Sequence, residues 1–114
     1  MTNWTTFPHE NLHAYQRARA LLVLVREAQI SIPNLRDQAL RAAIGACLNI
    51  AEATGRTGAD QKRVFTIARG EATEAAAALD IAAAAGACPG EAARAGKRLA
   101  LEAYALLSGL IRAR

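Results

Sequence analysis

Two histidines four residues apart are the sharpest chemical signal near the start of the chain. His9-Glu10-Asn11-Leu12-His13 fits the H-E-x-x-H pattern of zinc proteases. On one helix, residues i and i+4 share a face. Both imidazoles could then reach one Zn²⁺ while the glutamate activates a bound water. The setting argues against that chemistry. The motif falls at the start of a terminal helix, where fraying concentrates. The chain has 2 histidines, so a third ligand would have to be a carboxylate such as Glu27 or Glu52. A helix start with two surface histidines is the simpler reading, and no metal or cofactor is expected.

Asn49, Glu52 and Arg56 form a second constellation. Their spacing of three and four residues puts them along one helix edge, with Glu before Arg in the favourable order. One reading is a surface ion pair worth a few tenths of a kcal/mol. The other is a polar hook from Asn49 to another helix, with Glu74, Arg69 or a neighbouring chain as partner. Both are structural rather than catalytic. Arg56 also joins Lys62, Arg63, Arg94, Lys97 and Arg98 as a candidate phosphate contact. A solvated positive face explains the same residues. Aromatic residues are only 4% of the chain, and most fall on apolar stripes, so base-stacking platforms are not expected. Cys47 and Cys88 have no histidine nearby in sequence and read as small hydrophobes. No P-loop, dinucleotide fingerprint or nucleophile elbow is present, so no enzyme is expected.

The 114 residues make one domain, expected to span residues 1–114. The net charge of +4 favours an anionic partner only weakly, because the basic residues are scattered. The hydrophobic share is 53%, but 29 of those residues are alanine, which bury little area each. One copy therefore has a thin core for its length, and self-association would supply the missing burial. The first eight residues lack a basic-then-apolar leader pattern, and Ala20 to Val25 is far too short to span a bilayer. A cytoplasmic home without membrane contact is expected.

Apolar residues recur at helical spacing in four stretches, about 8–29, 35–54, 58–86 and 89–112. Pro8 suits a first helical turn, and Asn34 suits an N-cap. Thr57 with Asp60 resembles a capping box, and Gly55 and Gly86 suit helix ends. Leu40, Ala43, Ile44, Cys47, Ile50 and Ala51 mark the second helix's apolar stripe. Phe65, Ala68, Ala72, Ala75, Leu79 and Ala82 mark the third, widened by Val64, Ile67, Ala78 and Ile81. Leu99, Tyr104, Leu106, Leu107, Leu110 and Ile111 mark the fourth. Short connections predict an all-α, antiparallel, up-down-up-down four-helix bundle.

Several segments carry a family resemblance. Gln38 to Ile44, then Asn49-Ile50-Ala51-Glu52 and Gly55-Arg56, is similar to the central motif of the bacterial 23S rRNA intervening-sequence protein family. Tyr15-Gln16-Arg17-Ala18 and the run Phe65, Ile67-Ala68-Arg69-Gly70, Glu74 match its flanking stretches in order. The family's Ser-Ile-Pro is Gly45-Ala46-Cys47 here, Ala53 replaces a glycine and Glu71 replaces a serine. Without that proline the second helix need not kink. The resemblance implies a four-helix bundle that assembles into a ring, commonly a pentamer, with no established enzymatic activity. It marks Asn49, Glu52, Arg69 and Glu74 as structural polar residues. A related group, the accessory subunits of diversity-generating retroelements, shares the bundle, forms basic pentameric barrels and binds a reverse transcriptase and nucleic acid. That kinship is one of fold and transfers as analogy. The expected function is a homo-oligomeric scaffold or adaptor, with RNA, DNA or a nucleic-acid-binding protein as a further partner class. The alternative is a protein-only interaction module.

Overall fold

The computed structural model describes residues 5–113. The elements are a 3₁₀ turn, Pro8–Asn11, and four helices: α1 (His13–Ala28), α2 (Pro33–Ala53), α3 (Gly58–Ala84) and α4 (Gly90–Ala113). No strand occurs among the described residues, and the helices pack as a four-helix bundle. Arg69 meets Ser108 while Leu79 lies at Gly96, so residue numbers fall along α4 as they rise along α3. The same inverse register pairs Asn49 with Glu71 and Ala53 with Gln61 across α2 and α3.

The first helix differs from its expected start. The chain makes a 3₁₀ turn at Pro8 and is extended at Leu12 (φ −79°, ψ 128°) before α1 begins at His13. The Phe7 amide donates to Glu10 Oε2 at 2.7 Å, which closes the short turn on itself. His9 is then held between Phe7, stacked at 5.8 Å, and Tyr15, edge-on at 4.7 Å. His9 and His13 therefore lack the shared helix face that the H-E-x-x-H reading requires.

Helix boundaries elsewhere show which local signals won. Pro33, not Asn34, opens α2, because its fixed φ suits the first helical position and its missing N–H needs no partner. Thr57 is the N-cap of α3, yet its hydroxyl makes no cap bond, and the Asp60 carboxylate bonds Arg56 and Arg63. Gly55 follows α2 without a positive φ, so it is no left-handed cap. Gly86 is one, at φ +73°. Its N–H donates to Ala83 O at 3.0 Å, and that of Ala87 to Ala82 O at 2.7 Å, a complete Schellman ending for α3. Ser31 N–H then donates to Ala87 O at 2.9 Å, tying the α1–α2 link to the α3–α4 link.

The core is built on small residues. Among the described residues 24 apolar side chains are buried, and 15 of them are alanine. The largest fully buried side chains, Phe65, Leu21, Ile30, Ile50, Leu79, Leu107 and Val25, are spread along one continuous core. The α2 stripe is rotated from expectation. Ala39, Ala42, Ala43, Ala46, Cys47, Ile50 and Ala53 face inward, while Leu40 and Ala51 are half-buried and Ile44 is exposed. On α3 the central stripe is buried as expected, but Ile67 and Ile81 face out. On α4, Gly96, Ala100, Ala103 and Leu107 are buried, whereas Tyr104 and Leu106 are exposed. Small residues let helix backbones approach closely, and a large side chain such as Leu79 then packs against a small one, Gly96, on the facing helix.

Candidate functional site

Three surface regions hold the side chains singled out from the sequence. The first is the seam between α2 and α3. Asn49 Nδ2 donates to Gly45 O at 3.0 Å and to Glu71 Oε1 at 2.6 Å. Asn49 is thus the predicted interhelical hook, but its partner is Glu71 and not Arg69 or Glu74. The Glu71 carboxylate lies where a Gly45 side chain would be, and a Cβ added at Gly45 would overlap Glu71 Oε2. Burial in the seam raises the Glu71 carboxyl above its ordinary range, and neighbouring Glu74 adds to the rise. The bond from Asn49 opposes both. Glu74 itself has no hydrogen bond or ion pair among the described residues.

The second region is the link from α2 to α3. Arg56 lies beyond the end of α2, not on its edge. Its guanidinium bonds Glu52 on one side and Asp60 on the other, the latter at 2.6 Å. Arg63 Nη2 reaches the same Asp60 at 2.9 Å. Hydrogen bonds from Arg56 and then Arg63 hold the Asp60 carboxyl below its usual range. Arg56 is held protonated by Asp60 and then Glu52. Two arginines thus face two carboxylates, and this cluster has little charge to offer a phosphate. Gln61, which the sequence reading passed over, reaches back across the link and donates to Ala53 O at 2.9 Å, satisfying a carbonyl at the end of α2.

The third region is a groove between α3 and α4, about 460 Å³ in volume. Its floor is alanine, and Leu101 and Tyr104 line it beside Arg94, Lys97 and Asp80. Arg69 lies over the Tyr104 ring at 4.9 Å and donates to Ser108 Oγ at 2.9 Å, bracing one end. Arg94, Lys97 and Arg98 form no ion pair among the described residues. Arg98 is exposed but outside the groove lining. The six candidate cations do not make one patch. Leu79, beside Gly96, is 16 residues along α3 from Arg63, or about 24 Å at 1.5 Å per residue.

The whole chain but its ends matches one family model, that of the 23S rRNA-intervening sequence protein, over residues 10–109. The chain belongs to that family. No curated protein is significantly similar to it. Two departures from the motif of this 23S rRNA-intervening sequence family now have a joint explanation. The positions that carry serine in the family pattern are Gly45 and Glu71 here, and they touch. Losing one side chain makes room for the longer one opposite. Lacking the motif's proline, α2 runs unbroken through Cys47. Burial pushes the Cys47 and Cys88 thiols up, away from the reactive thiolate. No helix among the described residues is long and apolar enough to cross a membrane.

The sequence pattern could not separate the link cluster from the groove. Lys62, Arg63, Arg94 and Lys97 look alike as letters. Only the fold shows that Asp60 occupies Arg63 and leaves the α4 pair unmatched. Leu48 and Leu101, the most exposed apolar side chains of α2 and α4, were assigned no role by helical periodicity.

Proposed function

We propose that this family member is a non-enzymatic scaffold that works as a homo-oligomer, with a pentameric ring as the assembly its family resemblance implies. The observation that carries this reading is the inverted distribution of size. Alanines fill the core, while Leu48 at 64%, Leu101 at 58% and Ile81 at 54% exposure face outward with Ile44, Ile67 and Tyr104. Covering one Leu or Ile completely is worth about 1.5–3 kcal/mol, so a half-exposed set forfeits several kcal/mol that a neighbouring copy would recover. Self-association supplies what a single thin core lacks.

The protein-only reading is favoured over a nucleic-acid adaptor by the charge arrangement. Glu52 and Asp60 neutralise Arg56 and Arg63, and the remaining cations divide between two distant sites. Light scattering on the purified chain tests the scaffold. Five copies of 12.0 kDa give about 60 kDa, and a lone 12 kDa species refutes self-association. Filter binding of RNA at low and moderate salt tests the adaptor reading. A protein contacting many phosphates loses orders of magnitude in affinity over that range. This chain is expected to bind weakly at low salt only.

A further inference from the structure

Two apolar patches on this chain carry opposite charge and lie on neighbouring faces that share α3. The first covers the α2–α3 face. Ile44, Leu48, Ile67 and Glu74 are exposed there, beside the half-buried Glu71 that accepts from Asn49. The carboxylates have no ion-pair partner among the described residues, although Arg41 stands on the same outer side of α2. The second is the α3–α4 groove, where Leu101 and Tyr104 flank unpaired Arg94 and Lys97 against the single carboxylate of Asp80.

We infer that copies of this chain associate head to tail, the acidic α2–α3 face of one seated in the basic α3–α4 groove of the next. The inference rests on the self-association proposed above and assigns its surfaces. Pairing either patch with itself would oppose like charges across a desolvating contact, which costs several kcal/mol. Pairing one with the other matches Glu71 and Glu74 to Arg94 and Lys97, and covers Leu48 and Leu101 together. Because the two patches differ, the contact is heterologous. Each added copy exposes the same pair of patches, so the assembly closes into a ring or extends. An isologous dimer would leave one patch of each copy uncovered.

Charge reversal tests this directly. Glu74→Lys alters the first patch at an exposed side chain outside the Asn49–Glu71–Gly45 packing. Arg94→Glu with Lys97→Glu alters the second. Circular dichroism confirms that each variant stays helical, and light scattering reads its mass. Each reversal is expected to weaken association at least ~10-fold. All three changes in one chain are expected to restore part of the assembly, because the charges at position 74 and at positions 94 and 97 again oppose each other while Glu71 stays unchanged. Two individually weakened variants, mixed, are expected to assemble with each other into open chains or even-numbered rings, because alternating copies cannot close a ring of five. The inference is overturned if either reversal leaves a wild-type assembly intact, or if the combined chain is no better than its parents. It also fails if the Arg94 and Lys97 changes abolish RNA retention without altering mass. A wild-type monomer would instead refute the self-association reading itself.

Discussion

Substituting Gly45 by alanine should have opposite consequences depending on residue 71. Alanine in a helix interior is normally favoured over glycine by about 1 kcal/mol. In the wild-type chain the new Cβ would overlap Glu71 Oε2 and stand 2.6 Å from its Cδ. The contacted atoms end a flexible side chain, so the backbone need not move, but the carboxylate must. It then loses the 2.6 Å bond from Asn49. A hydrogen bond to a charged group contributes about 1.5–3 kcal/mol, and partial exposure of Glu71 puts it at the lower end. The gain and the loss nearly cancel, so Gly45→Ala alone should change stability by about −1 to 0 kcal/mol. In a Glu71→Ala background the obstacle is gone, and the same change should stabilise by about 1 kcal/mol. The coupling between the sites is therefore about 1–2 kcal/mol, well outside the additivity expected of independent positions. Urea unfolding of the four chains, with the slope checked for constancy, measures it. Equal effects of Gly45→Ala in both backgrounds, within about 0.5 kcal/mol, would refute the account of the seam.

Three further outcomes follow from the same geometry. Gly96→Ala would press its Cβ into Leu79 Cδ1 in the core, with Leu24 Cδ2 at 3.5 Å, and should destabilise by about 1–2 kcal/mol in urea unfolding despite the better helix propensity. Gly86→Ala has open space around it but a φ of +73°, so it should cost about 1–2 kcal/mol from backbone strain alone, without loss of core packing by near-UV circular dichroism. Glu71 has its carboxyl raised in the folded state above the ordinary 4.5. Its stabilising contribution is therefore complete below that value and is lost as pH rises through the folded value. Glu71→Gln mimics the neutral acid, so the stability of the wild type relative to this variant should fall as pH rises above 4.5. The depressed carboxyl of Asp60 acts in the opposite sense but is common to both chains and cancels. A difference that grows in favour of the wild type with rising pH would contradict the assignment.

Much of the bundle was legible in the sequence because punctuation and period agree. Thr57 and Gly86 bound α3, whose stripe, Phe65 to Ala82, is buried throughout. The rotation of α2 was not legible. Periodicity favours the face with the largest apolar residues, yet this helix buries its alanines and exposes Ile44 and Leu48. A rule that equates hydrophobic with buried fails where close backbone approach, rather than side-chain size, sets the contact. The first helix misled for a local reason. Nothing in His9 to His13 announces that Leu12 is extended, because the break comes from Glu10 closing a turn on the Phe7 amide. In the candidate site, a hook to another helix was one of two readings open for Asn49, and its partner, Glu71, could not be found without the α2–α3 register. Glu71 and Gly45 each looked like an isolated departure from the family pattern until they proved to be neighbours.

The thin core has one direct thermodynamic signature. When a chain completes its burial only by associating, its apparent stability depends on its own concentration. Urea midpoints measured across a hundredfold range of protein concentration should rise steadily, by an amount that Leu48→Glu with Leu101→Glu abolishes. A wild-type midpoint independent of concentration, in a chain whose mass remains 12.0 kDa, would contradict the account.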